Sequence, residues 1–324
     1  LFRSYVVFIT LHTPEGLQSF YGSSTLPFPQ AAKLERVRLF APAKINLGLS
    51  ITGRLENGYH TLESLFTTLS VGDELEISPS DRLSLKVVGA DLPGDRRNLV
   101  YRAAEAFFEE SGVKGRVKIR LYKNLPLASG LGGGSSDAAI TLLTLERMYG
   151  PTGLNLSRLA LELGADVPFF LLEGSAFVSG IGEVLTPVKL PRVHLVLANC
   201  GLEVSAKDAY TWLDEAGGFT RPLPLEQIVQ ALERGESVPY FNALQAPVLA
   251  HHPELLEVLE ALELEGLHSP LMSGSGSTCF AIALSELEAR EAAERLSEQH
   301  PEWWIRAAHT LQWWTPHLTR GQAL

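Results

Sequence analysis

Cysteine is nearly absent: Cys200 and Cys279 are the only two in 324 residues, with no C-x-x-C and no His pair at metal spacing. That count excludes a disulfide framework, and two reduced thiols in a cytoplasmic protein are the expectation. Positive charge is also short. Twenty-seven Lys and Arg stand against 37 Asp and Glu, a formal net charge of -10. Sequence-independent nucleic-acid binding needs a basic surface and is excluded; a small anion needs only a few local donors. No apolar run nears the ~18 residues of a membrane span. The nearest, residues 5–11, is followed by His12, Pro14 and Glu15, without a small-residue cleavage site. The expected partner is therefore a small molecule, with neither nucleic acid nor membrane, and the sequence is silent on oligomeric state. What remains is an ordinary globular composition, 45% hydrophobic and 20% charged, on a chain long enough for two cores.

The most informative stretch is PLASGLGGGSSDAA at 126–139. It lies between an alternating apolar run (Val117, Ile119, Leu121) and a helical one (Ala138, Leu142, Leu145, Tyr149). Glycines let backbone approach a ligand closely, and Ser135 or Ser136 is expected to cap the following helix. A glycine turn feeding a helix N-terminus presents free N–H groups and partial positive charge, which suits phosphate. A P-loop requires Lys after its last glycine, where Ser135 stands here. A dinucleotide turn counted from Gly130 reaches Ser135 where its last glycine should be. The loop reads as a phosphate cradle of a third kind.

In APAKINLGLSI (41–51), a strand period of two sets Ile45, Leu47, Leu49 and Ile51 on a packing face, and Lys44 and Asn46 together on the other. In LGADVPFFLL (163–172), Gly164 is expected to end a helix in the manner of a C′ glycine, and the Val-Pro step to hold extended backbone. Asp166 between them is either a general base or a local turn cap. SGSGST at 273–278 is a hairpin turn or the wall of a phosphate site. GYH at 58–60 offers Tyr59 and His60 for stacking and hydrogen bonding. The His251-His252-Pro253 run precedes a helix, and the Trp pairs at 303–304 and 313–314 are expected to pack.

Strands are expected at 45–51, 61–69, 74–77, 83–88, 116–122, 175–179, 193–199, 269–273, 278–284 and 303–308. Helices are expected at 98–110 (opened by Asn98), 135–148, 156–163, 206–215, 225–234, 242–249, 253–264 and 286–299. Several strands precede the first helix, so the class is α+β rather than a doubly wound sheet. Residues 1–35 lack a period and read as an extension outside the catalytic fold, either disordered chain or an artefact of the start site. A boundary is placed near 187–191.

Taken in order, APAKINL, KNLPLASGLGGGSSDAA, GADVPFF and MSGSGST resemble the three motifs and catalytic Asp of the GHMP small-molecule kinases, over about residues 37–310. RLENGYHTLESLF (54–66) and the form of GADVPFF narrow the likeness to the branch serving the non-mevalonate isoprenoid route. Galactokinase, mevalonate kinase and homoserine kinase share the loop but not these segments. Ser129 stands where the family more often has Ala or Gly, and is small enough to keep the turn.

The resemblance implies a two-domain α+β fold. A domain like ribosomal protein S5 domain 2 spans 36–188, a ferredoxin-like domain spans 189–316, and 317–324 is a tail. It implies transfer of phosphate from ATP, with Mg²⁺, to the 2-hydroxyl of the methylerythritol part of a cytidine diphosphate ester. Asp166 would take the hydroxyl proton, with Lys44 stabilising the ionised Asp and the developing charge. Pro126, Leu127, Ala128, Ser129, Gly130, Leu131, Gly132, Gly133, Gly134, Ser135 and Ser136 would meet ATP, with Asn98 and Lys123 near the nucleotide. Asn46, Tyr59, His60 and Tyr210 would hold the substrate, its cytosine between aromatics. Ser273, Gly274, Ser275 and Gly276 form the second glycine turn, and no side chain is assigned to metal.

Overall fold

The computed structural model describes residues 9–13, 16–20, 36–172, 174–312 and 319–320. Strands β1 (Ile9–Thr13) and β2 (Gly16–Phe20) pair as a two-stranded sheet of their own. This corrects the reading of 1–35 as lacking regular structure; the alternation there is too brief to stand out among so many turn residues. The rest of that segment and Trp313 and Trp314 lie outside the described residues.

The main sheet is built on β3 (Val37–Arg54) and β4 (His60–Ser80), joined by a tight turn. β5 (Ser84–Val88) follows, then α1 (Leu99–Ser111), β6 (Arg116–Tyr122), α2 (Gly133–Tyr149) and α3 (Leu156–Leu163). A 3-10 turn (Pro168–Leu171) leads into the hairpin β7 (Ser175–Ser179) and β8 (Val184–Val188). β8 carries Pro187, which an edge strand tolerates because no ladder donor is needed there; the proline hid this strand in the sequence.

The second half supplies β9 (His194–Asn199), α4 (Ala206–Glu215), α5 (Leu225–Arg234), α6 (Gln245–His251) and α7 (Glu254–Leu264). β10 (His268–Met272), β11 (Cys279–Ala283), α8 (Glu286–Gln299) and β12 (Trp304–His309) complete it. Its four strands are all antiparallel, in the order β10-β11-β9-β12. α6 starts at Gln245, not 242, because Asn242 Oδ1 accepts from Leu244 N and keeps that residue in the preceding loop. The short β13 (Thr319–Arg320) pairs with Arg38 and Val37, so this part of the expected tail belongs to the main sheet.

One strand serves successive cores. Val37, Leu39 and Ala41 bury against α1 and α2, together with Phe107, Ile119 and Leu142. Beyond a register shift between Pro42 and Lys44, the same odd-numbered series (Ala43, Ile45, Leu47) buries against Leu195, Leu197 and Phe280 of the second sheet. A bulge turns a strand sharply, so a single alternating sequence faces helices first and the other domain next. Gly72 sits where β4 crosses this bend: a Cβ there would collide with the Ala41 carbonyl oxygen. That close crossing lets β4 run unbroken where two separate strands were expected.

Candidate active site

The bend in β3 sets the even-numbered Lys44 and Asn46 toward the glycine loop. Lys44 N donates to Leu131 O at 2.9 Å, tying strand to loop. Lys44 Nζ donates to Asn46 Oδ1 at 2.6 Å, and Asn46 Nδ2 donates to Ser64 Oγ at 2.8 Å. Asn46 thereby aims the lysine, and both its side-chain atoms are engaged. The ammonium also lies 4.6 Å from the centre of the Phe66 ring and 3.7 Å from Asp166 Oδ2. Lys44's side chain is only 5% exposed, whereas that of Asp166 is 36% exposed. Burial pulls the ammonium below the ordinary lysine value, and the Asp166 carboxylate opposes that pull.

Asp166 occupies the turn between α3 and Pro168. Two expectations about its frame need correction. Gly164 ends α3 in extended backbone (φ 171°), which any residue adopts, rather than in a left-handed C′ conformation. Val167 is helical (φ -62°, ψ -42°) despite preceding Pro168. Its N–H donates to Gly164 O at 3.1 Å, and Val167, Phe169 and Phe170 are buried. Burying those rings in one compact turn outweighs the pre-proline preference, and the carboxylate is left at the surface.

The glycine loop closes differently from the serine cap expected. α2 begins at Gly133, and its N-cap is Gly132 in left-handed conformation (φ 67°), with no side-chain cap. A Cβ on Gly132 would stand 3.0 Å from both Lys44 Cγ and Phe170 Cζ, so it would fit only if those side chains shifted. Ser135 and Ser136 lie inside the first turn. Ser136 Oγ is buried without a hydrogen-bond partner, and Gly134 and Ala128 are exposed.

The second glycine turn docks on the first. Ser273 Oγ donates to Gly130 O at 3.0 Å, and Thr278 N donates to Ser129 O at 3.1 Å. Asn46 N donates to Ser273 Oγ at 3.3 Å. A Cβ on Gly274 would lie 3.2 Å from Asn46 Oδ1 and 3.5 Å from Lys44 Nζ. Asn242, unsuspected from sequence, fastens the turn by donating to Met272 O and Gly274 O at 2.8 and 2.7 Å.

Lys123 and Asn98, expected near the nucleotide, both have partners within the fold, and a Cβ on Gly133 would lie 3.2 Å from Lys123 Nζ. Asn98 Oδ1 caps α1 by accepting from Val100 N at 3.0 Å, and its Nδ2 donates to Pro93 O. Lys123 Nζ is buried between Asp73 and Asp137, 3.0 Å from Asp137 Oδ2. Asp73 also accepts from Asn124 N and Leu125 N at 2.6 and 2.9 Å. Two carboxylates share one ammonium here. Burial pushes Asp137, whose Oδ1 has no partner, up to about 7, with Lys123 pulling the other way. The folded state then holds a proton that an ordinary carboxyl loses near 3.8, so stability declines as pH rises from about 4 toward about 7. Asp137→Asn is expected to remove that decline, read as urea midpoints at pH 5 and pH 8 compared with wild type. Asp137 lay inside the glycine motif but was overshadowed by it; Asp73, fifty residues upstream, gave no local signal.

At the other end of the cleft, Tyr59 is 60% exposed. The His60 and Tyr210 rings stack on each other, 4.9 Å between centres and 27° between planes. No base fits between those two rings, so a stacked base belongs on the Tyr59 side. Asp214 Oδ1 lies 2.7 Å from His60 Nε2. Its signal was the i, i+4 spacing from Tyr210 on one helix face. Burial, with the nearby Asp166 charge, raises the Tyr210 hydroxyl to about 12. Trp303 stacks on His300 and Trp304 Nε1 donates to Asn124 O, so both pack.

A glycine cradle at a helix start, faced by a buried lysine, a carboxylate and a second glycine turn, is a phosphoryl-transfer geometry. Residues 98–174 match the GHMP kinases N terminal domain and residues 225–302 the GHMP kinases C terminal domain. The chain belongs to the GHMP kinases and is an ATP-dependent small-molecule kinase. It is 60% identical over 273 residues to the 4-diphosphocytidyl-2-C-methyl-D-erythritol kinase of Deinococcus radiodurans, covering 83% of this chain and 91% of that protein. Its likeness to the Thermus thermophilus kinase of the same name is 45% over 81% of this chain and 94% of that one. The crystal structure of a 4-(cytidine 5'-diphospho)-2C-methyl-D-erythritol kinase superposes with a TM-score of 0.77 at 43% identity, over 84% of this chain and 98% of that chain. A homoserine kinase from Cytophaga hutchinsonii, 20% identical with a TM-score of 0.65 over 91% of this chain and 100% of its own, shares the fold.

Proposed function

We propose that this enzyme phosphorylates the 2-hydroxyl of 4-diphosphocytidyl-2-C-methyl-D-erythritol with ATP, giving the 2-phosphate and ADP for isoprenoid precursor synthesis. The observation that carries the chemistry is the Lys44–Asp166 pair, 3.7 Å apart beside the two joined glycine turns. The acceptor is supported by 60% identity to a kinase of that name.

Phosphoryl transfer is mainly positioning and charge stabilisation. The exposed tip of the glycine loop and the free N–H groups opening α2 receive the ATP phosphates. Asp166, reachable from solvent, takes the proton of the substrate hydroxyl as its oxygen bonds to the γ-phosphorus and ADP leaves. Lys44, aimed by Asn46 and paired with Asp166, offsets charge on the transferring group. Among the described residues no three His, Cys, Asp or Glu side chains cluster to hold a metal. The buried, unpartnered Ser136 Oγ, at that helix start, would be a protein oxygen available to the Mg²⁺ that accompanies ATP. The ion would supply neutralisation of phosphate charge.

The two cysteines are free, and no helix among the described residues is long and apolar enough to cross a membrane. ADP release from a panel of alcohols tests the acceptor. The cytidyl ester is expected to be consumed; consumption of mevalonate or homoserine with the ester ignored overturns the assignment. Because burial lowers Lys44, its charge is lost as pH rises through a value below the ordinary 10.5. The alkaline limb of kcat is expected there, and a limb at or above 10.5 separates the lysine from catalysis.

A further inference from the structure

The proposed reaction leaves one carboxylate at the cleft without a task. Asp214 Oδ1 lies 2.7 Å from His60 Nε2, and Arg54 Nη1 lies 3.1 Å from Asp214 Oδ2. Tyr210, one helical turn before Asp214, stacks on the His60 ring. Arg54 ends β3 and His60 opens β4, while Tyr210 and Asp214 lie on α4, so a single imidazole is gripped from both halves of the chain. Among the described residues no donor meets its Nδ1, which is not sealed among the buried orphan atoms, and the side chain keeps 10% exposure.

A carboxylate only accepts hydrogen bonds, so Nε2 must carry the proton that faces Asp214. In the neutral ring the other nitrogen is then a bare acceptor. Arg54 holds the carboxylate in place, which makes the choice of tautomer a property of the fold rather than of the ligand.

We infer that Asp214 is a positioning residue that sets base choice: by fixing the His60 tautomer it leaves Nδ1 to accept from an exocyclic amino group, selecting cytosine over uracil. Cytosine carries an amino donor at C4. Uracil carries a carbonyl oxygen there, and two acceptors facing each other leave both unpaired, which a site built on a hydrogen bond rejects strongly. The inference rests on the cytidyl substrate proposed above.

The test compares kcat/KM for the cytidine diphosphate ester and the uridine diphosphate ester of the same tetritol, in wild type, Asp214→Asn and Asp214→Glu. A carboxamide both donates and accepts, so it no longer dictates the tautomer. Asp214→Asn is expected to lower the cytidyl-to-uridyl ratio by about tenfold or more, the size of one hydrogen bond in a polar site. The loss should appear in KM for the cytidyl ester with kcat nearly unchanged, and Asp214→Glu should restore most of the ratio. An unchanged ratio, or an equal decline for both esters, overturns the inference. Ring-nitrogen NMR of wild-type His60 gives a second reading that needs no variant. A protonated Nε2 with bare Nδ1 is expected, and a protonated Nδ1 overturns it. If wild type phosphorylated neither ester, the proposed substrate would fail, while the ring-nitrogen spectrum would still decide the tautomer.

Discussion

Asp166→Asn is expected to lower kcat by about 10²–10⁴-fold, the usual worth of a positioned general base, while KM for ATP changes little. The carboxamide matches the carboxylate in size and the side chain is a third exposed, so the turn carrying it should stand. Two losses combine. The amide cannot take the hydroxyl proton, and Lys44 loses its carboxylate partner while remaining buried against Asn46 and Phe66. An unpaired buried ammonium sheds its proton more readily. The variant's alkaline limb should accordingly move lower than that of wild type. A pH profile of single-turnover rates separates the two effects: loss of the base lowers the plateau, and loss of the partner shifts the limb. A variant that kept the wild-type plateau would remove Asp166 from proton transfer.

The second large effect is expected at Gly130→Ala. Gly130 has φ +76°, a conformation that side chains rarely adopt, and a Cβ there would collide with the Ser273 carbonyl oxygen and lie 3.1 Å from Gly276 O. Both obstacles are backbone of the second glycine turn, which cannot swing aside as a flexible side-chain end can. The methyl group must push the two turns apart, stretching Ser273 Oγ to Gly130 O and Thr278 N to Ser129 O. Misplacement of this kind costs about 10²-fold in kcat. Strain plus broken contacts should cost at least about 2 kcal/mol of stability. Gly134→Ala is the control. Gly134 is exposed, and its nearest obstacle is Leu99 Cδ1 at 3.7 Å, an ordinary contact. Thermal unfolding temperature and kcat should therefore fall together at Gly130, and the unfolding temperature should hardly change at Gly134. Equal behaviour of the two variants would mean that contact between the turns does not organise the site.

The geometry of the candidate site was legible where residue type and spacing both carry information. Lys44 and Asn46 share a face because a strand has a period of two, and their 2.6 Å hydrogen bond follows from that. The place of the glycine loop between β6 and α2 was legible because apolar alternation precedes it and helical spacing follows it. What stayed hidden depends on contacts distant in sequence. Asp73 meets Lys123 across 50 residues, and Asn242 fastens a turn about 30 residues away. Neither residue type is unusual where it stands. The bulge between Pro42 and Lys44 was equally silent, since the apolar alternation continues through it while the buried partners change from α1 and α2 to β9 and β11. Local rules also misled in places. Serines beside a glycine turn suggested a side-chain cap, but the left-handed Gly132 lets the helix begin two residues earlier than that reading placed it. The Val-Pro step suggested extended chain, but burial of Phe169 and Phe170 favours a compact turn.

The most direct measurement is ³¹P NMR of wild-type protein incubated with ATP, Mg²⁺ and 4-diphosphocytidyl-2-C-methyl-D-erythritol. The expected spectrum loses the γ-phosphate of ATP and gains ADP and one new phosphomonoester, attached at the 2-position of the tetritol, with the cytidine diphosphate resonances retained. ATP left intact in the presence of that ester, or γ-phosphate released only as free inorganic phosphate, would contradict the assignment of this site as a kinase for that hydroxyl.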